Sequence, residues 1–243
     1  MNTRSESSAY PYYVLFVLAL VNMFNYVDRH VVSVLLVPIK QEFQVSDEWM
    51  GLLTGMAFML VHSVFGIPIA RWADNHSRRN VMMVGVAVWS AMTALSGLAR
   101  SFPQLLALRM GVGIGEAAGS PPAHSIISDY FAPARRATAL ALYSMGLYAG
   151  IMVGYSAAGW LGEHYGWRVT FVAVGLPGLA LSLLVGTTVR EPVRQASAHR
   201  TPLPEVLRYL LAKRSFIALQ LAASFHALAA YGAVHWMPTF LHR

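Results

Sequence analysis

The stretch YYVLFVLALVNMFNYVDRHVVSVLLVP, residues 12–38, decides how this chain is read. Crossing the ~30 Å hydrocarbon core of a bilayer takes roughly 20 apolar residues in a helix, and this run exceeds that. It nevertheless holds Asn22, Asn25, Asp28, Arg29 and Ser33. Its length points to a membrane span, and its embedded charges point to work done inside the membrane. Arg4 precedes it in the manner of a signal peptide, but the run outlasts an h-region of roughly 7–15 residues and no small-x-small cleavage site closes it. It is a retained helix.

The pattern continues outward from there. Further apolar runs lie at 48–72, 79–99, 102–128, 136–161, 168–189 and 215–240. Of the 243 residues 56% are hydrophobic and 12% charged, about half the charged share of a soluble domain. The expected fold is an all-α membrane protein: a six-helix transmembrane bundle of two inverted three-helix repeats over residues 1–189, a cytoplasmic linker at 190–214, and at 215–243 the first helix of an incomplete second bundle. Of the 18 Lys and Arg residues, twelve fall on one side of the spans and four on the other. The positive-inside rule then places the N-terminus in the cytoplasm of a multi-pass inner-membrane protein.

Cysteine is absent, which excludes disulfides and thiolate metal sites. The net charge of +7 arises from short loops between spans rather than from a basic face with interleaved aromatics, so no nucleic-acid partner is expected. No histidines stand at metal-ligand spacing and no nucleophile arrangement occurs, so neither a metal, a cofactor nor an enzyme activity is expected.

An ionised side chain at a helix centre costs ~2.5–3.5 kcal/mol on insertion scales and so faces a partner or a wet cavity. Asp28, Arg29, Arg109 and Glu116 are such residues. Asn22, Asn25, Arg29 and Ser33 recur at helical spacing with Asp28 beside them, and Arg109, Gly113, Glu116, Ser120 and His124 share a face of the fourth span. At 1.5 Å per residue, Asp28 lies roughly 24 Å and Glu116 roughly 18 Å from the inner ends of their spans. Both belong near the bilayer midplane. There Glu116 would take up or release a proton as access alternates, while Arg29 or Arg109 acts as counter-charge or holds an anionic substrate in its planar fork. The alternative is a static ion-pair cluster that only pins helix packing.

His62, on one face with Gly51, Gly55 and Phe58, is a candidate cavity-lining residue, or else a neutral packed histidine. The loop Ala70-Arg71-Trp72-Ala73-Asp74-Asn75-His76-Ser77-Arg78-Arg79 offers Asp74, Arg78 and Arg79 as a conformational lock, or merely as positive-inside charge. The run Gly111-Val-Gly113-Ile-Gly115 imitates a dinucleotide loop but lies in mid-span, where close helix packing accounts for it. Gly146, Gly150 and Gly154 form a similar small-residue ridge.

The loop after the second span resembles the signature of the major facilitator superfamily, with Ala70 and Ser77 where glycine is usual. Arg109-x-x-x-Gly113 resembles that superfamily's basic motif. The Spinster-like branch is the nearer likeness, carried by Asn25-Tyr-Val-Asp28-Arg29, Pro38-Ile-Lys40, Gly51-Leu-Leu-Thr-Gly55-x-Ala57-Phe58, Gly111-Val-Gly113-Ile-Gly115-Glu116-Ala117, Pro121-Pro122-Ala123, Asp129-Tyr130-Phe131, Gly166-Trp167-Arg168 and Arg190-Glu191-Pro192. The resemblance implies a twelve-helix secondary transporter with Asp28, Arg29 and Glu116 as a proton-linked polar cluster. Its substrate would be a small organic or amphipathic anion, lysolipid-like in animal relatives. It also implies that this chain is truncated, or works with a missing C-terminal six-helix bundle or a second copy. The rivals are a transport-inactive membrane remnant or adaptor, and a seven-helix photoreceptor. The latter lacks a deep Schiff-base lysine, since Lys40 and Lys213 both sit near span ends.

Overall fold

A computed structural model describes residues 9–192 and 203–241, and every regular element among them is helical. Arg4, Arg194, Arg200 and Arg243 of the charge count lie outside the described residues. The chain divides into two units, Met1–Val193 and Arg194–Arg243.

In the first unit the opening span becomes α1 (Tyr10–Val34) and α2 (Leu36–Phe43), separated by a bend at Leu35. Pro38 follows closely and lacks the N–H that would continue the helical ladder back to Val34. The second span is a composite of α3 (Asp47–Gly51), a π-helical turn (Leu52–Met56) and α4 (Ala57–Asn75). Next come α5 (Arg78–Ser96), started by the Ser77 hydroxyl accepting from the Asn80 N–H, and α6 (Phe102–Glu116), started likewise by Ser101. The fourth span then breaks. α7 (Ser120–Tyr130) resumes after residues 117–119, because Pro121 and Pro122 cannot donate to the carbonyls of Ala117 and Ala118.

The unbroken-looking α8 (Pro133–Thr188) is two antiparallel arms, 133–165 and 167–188. They turn at Gly166, whose φ of 77° is open to glycine and strained for other residues. Tyr10–Val34, Asp47–Asn75 and Pro133–Thr188 are long and apolar enough to cross a membrane. The six spans read from the sequence thus appear in order, with the fourth split and the fifth and sixth meeting at the Gly166 turn.

Glycines set how closely the helices approach. A Cβ added at Gly146 would lie 2.5 Å from the Ala19 carbonyl oxygen, and one at Gly154 3.1 Å from the Val27 Cα, so the ridge on α8 seats α1 backbone to backbone. On α6, a Cβ at Gly113 would meet the Phe58 carbonyl at 3.1 Å, while at Gly115 it would strike the Trp89 nitrogen at 2.6 Å. One short glycine run therefore admits α4 on one side and α5 on the other.

The apolar core is divided. One cluster gathers Leu18, Val21, Val86, Trp89, Val112, Ile126 and Val185; another gathers Val27, Val31, Leu105, Trp167, Phe171 and Val174. Between them lie the buried polar side chains Asn25, Asp28, Ser90, Thr93 and Arg109.

In the second unit α9 (Leu203–Leu211) precedes α10 (Arg214–Leu241). The stretch 190–214, read from its composition as a plain linker, therefore contains a helix, and its first residues Arg190–Pro192 belong to the first unit. Residues 193–202 of that linker lie outside the described residues.

Candidate functional site

Consecutive residues on a helix point roughly 100° apart, so Asp28 and Arg29 of α1 cannot share one partner. They are instead matched crosswise to α6. Arg109 Nη1 donates to both oxygens of Asp28 at 3.2 Å, and Arg29 Nε donates to Glu116 Oε2 at 2.7 Å. Two acids and two bases make the quartet neutral, which is how four charges persist between apolar layers.

The two pairs differ in access. Asp28 and Arg109 are both buried, and Thr93 of α5 donates its hydroxyl to Asp28 Oδ1 at 2.7 Å. In the other pair Arg29 keeps 21% of its side chain exposed while that of Glu116 has none. The Arg29 guanidinium lies 5.2 Å from the ring centres of both Tyr26 and Phe58, a cation–π setting that holds it without neutralising it. Two atoms of the quartet find no hydrogen-bond partner, Glu116 Oε1 and Arg109 Nε. Glu116 is also the last residue of α6, directly before the break in the fourth span.

The other central residues named from the sequence are placed as follows. Asn25 is buried on α1 one turn before Arg29, and Asn22 donates to the Tyr143 carbonyl of α8 at 3.0 Å. His62 stacks on Phe58 at 5.7 Å between ring centres, so it adjoins the quartet through that ring; its Nδ1 is buried without a partner.

At the end of the bundle where α4 meets α5 one arginine dominates. Arg78, 4% exposed, donates from Nε to Glu191 at 2.9 Å, from Nη1 to Ser125 at 2.7 Å and Asp129 at 2.5 Å, and from Nη2 to the Pro192 carbonyl at 3.3 Å. Glu191 also accepts from the Ser77 hydroxyl and the Arg79 N–H, each at 2.8 Å. Burial pushes the Glu191 carboxyl up, but the hydrogen bonds from Arg79, Arg78 and Ser77 outweigh it and leave its pKa below the usual range. The Arg79 side chain turns to Asn80, and Asp74 lies exposed at the end of α4. Of the three residues named from the sequence as a lock, Arg78 is buried and paired with the acids Asp129 and Glu191.

Those two acids had a signal in the sequence: each sits in a quoted motif at a span end, on the side read as that of the basic loop. Thr93 had none, being one hydroxyl in an apolar span. On the opposite face Glu42 of α2 accepts from Arg168 at 2.6 Å and from the Trp167 ring N–H at 2.7 Å, which holds its pKa below the ordinary value. Arg168 also donates to the Ala99 carbonyl at 2.8 Å, tying together the ends of three spans.

The Major Facilitator Superfamily model matches residues 18–243. An MFS-type efflux pump of Mycolicibacterium smegmatis is 35% identical over 231 residues, 93% of this chain and 53% of that protein. Protein spinster homolog 3 of Danio rerio is 33% identical over 254 residues, 99% of this chain and 50% of the relative. The sphingosine-1-phosphate transporter of Mus musculus is 31% identical over 243 residues, 93% and 43% respectively. A solved bacterial homologue of the human lysosomal transporter Spinster, inward-facing and unoccupied, superimposes with a TM-score of 0.79 at 38% identity, covering 97% of this chain and 56% of that one. The chain spans about half the length of the curated relatives it matches.

Proposed function

We propose that this chain, which belongs to the Spinster branch of the major facilitator superfamily, supplies the N-terminal bundle of a proton-coupled secondary transporter of a small organic or amphipathic anion. Its relatives are transporters rather than enzymes, and the chain is a multi-pass membrane protein. The charge asymmetry supports an inner-membrane orientation with the N-terminus in the cytoplasm.

The observation that carries the coupling is the state of Glu116: fully buried, bonded through one oxygen to a partly exposed arginine, with its second oxygen unpartnered. An anion arriving at Arg29 competes with Glu116 for the guanidinium. Displaced into an apolar layer, the carboxylate has no other cation bonded to it and takes a proton. Anion and proton then occupy the site together, and re-forming the Arg29–Glu116 pair expels both. Asp28 and Arg109, held by Thr93 and sealed from solvent, stay paired and fix the neighbouring helices. Alternating access would come from rocking this bundle against a second one around that midplane site.

The test joins this chain to the C-terminal bundle of the bacterial Spinster homologue and measures flux in proteoliposomes. Glu116→Gln should insert normally and bind the anion but lose its response to a pH gradient. Coupling that survives this substitution overturns the proton assignment. A parent chimera with no gradient-driven flux of any lysolipid or organic anion points instead to a transport-inactive remnant.

A further inference from the structure

We propose that α9 lies in the headgroup layer of the cytoplasmic leaflet and binds anionic lipid. The helix falls outside the transport site, and only the side of the membrane it faces rests on the orientation given above.

Apolar residues stand at 203, 206, 207, 210 and 211, the i, i+3, i+4, i+7, i+8 register that gathers one face of a helix. Pro204, Glu205, Arg208 and Tyr209 occupy the other positions. A nine-residue helix of this kind is marginal in water alone and needs a surface to bury that face. Leu211 is 63% exposed while Val206 and Leu210 are half-buried, so part of that face stays open.

Two features identify the surface as lipid. Only Ala212 and Lys213 separate α9 from α10, a helix of 28 residues, roughly 42 Å, enough to cross a bilayer. That tether keeps α9 within reach of the interface wherever α10 inserts. The charge matches as well: Arg208, Lys213 and Arg214 face a single acid, Glu205, across ten residues. Lys213 Nζ sits 5.0 Å from the exposed Tyr209 ring, a cation beside an amphipathic aromatic, which is the pairing that headgroup depth favours. Basic residues next to a span are drawn to anionic headgroups and released by salt.

The absence of cysteine makes the test direct. Leu211→Cys and Glu205→Cys are each labelled with an environment-sensitive fluorophore in the full chain and reconstituted into vesicles of phosphatidylcholine alone or mixed with phosphatidylglycerol. In the mixed vesicles the 211 label should shift to the blue, lose quenching by aqueous iodide and gain quenching by headgroup-proximal spin-labelled lipid, while the 205 label stays open to iodide. High salt, or Arg208→Gln with Lys213→Gln, should abolish the difference between the two vesicle types. Equal iodide quenching at both positions overturns the proposal. So does a 211 label that is shielded equally in both vesicle types and in lipid-free micelles, since that would mark a protein partner on the apolar face. Accessibility of the 205 label to an impermeant thiol reagent in oriented vesicles reads sidedness separately, so a wrong orientation is distinguishable from absent lipid binding.

Discussion

The central quartet and the cluster around Arg78 each bury an arginine almost completely, yet they satisfy it differently. Arg78 donates to Glu191, Asp129, Ser125 and the Pro192 carbonyl, so every nitrogen of its fork is engaged. Arg109 spends one nitrogen on Asp28 and leaves Nε without a partner, and Glu116 leaves one oxygen bare. A fully bonded network in contact with water behaves as a clamp. The quartet, set between apolar layers, is held by paired charges and the Thr93 hydroxyl but leaves two of its polar atoms without a bond. Under the proposed function the Arg78 cluster would hold a conformation and the quartet would change with protonation.

The comparison is most easily broken at the quartet. Arg109→Gln strands the Asp28 carboxylate in the core and should cost about 3–5 kcal/mol, read from unfolding in detergent, with most of it recovered in the Asp28→Asn/Arg109→Gln double variant. A single variant as stable as the parent would mean that the quartet is hydrated and not held by pairing. Arg78→Ala should cost less, about 2–3 kcal/mol, because Asp129 and Glu191 keep partial access to solvent, and Arg78→Lys should fall between that and the parent because it keeps the charge without the fork.

Acid sharpens the contrast. Glu191 titrates below its ordinary value in the folded protein, so its contribution is complete above the unfolded pKa of about 4.3 and is lost as pH falls through the lower folded value. Hydrogen-exchange protection of residues 77–80 should therefore hold from neutrality to about pH 5 and decline below about pH 4, and Glu191→Gln should remove that dependence. The smallest effect is expected at the outer tie. Glu42→Gln should cost less than about 1 kcal/mol, because the Glu42–Arg168 pair lies largely in solvent.

How much of this was legible depended on the range of the interaction. Helix order, the intramembrane charges Asp28, Arg29, Arg109 and Glu116, and the packing role of Gly111–Gly115 could be read from local pattern, and each is present in the folded bundle. The partners could not be read. Asp28 and Arg29 are neighbours in sequence but bond residues seven apart on α6, and nothing in α5 marked Thr93 as a donor to Asp28. The partners of Arg78 were hidden for the same reason: Asp129 and Glu191 reach it only once the ends of three spans converge. The helix within 190–214 was hidden by the composition around it, since a short amphipathic run among Pro, Ser and Arg averages to a linker.

The sequence by itself determined that the chain enters a membrane and in what order its spans cross. Transfer of each residue from water to hydrocarbon is nearly additive along the chain, and loop charge adds an equally local bias of side. Only the tertiary structure decided which acid meets which base, how closely each helix approaches the next, and which atoms remain unpaired. Those outcomes depend on the rotation and spacing of packed helices, which glycines scattered along different spans set together.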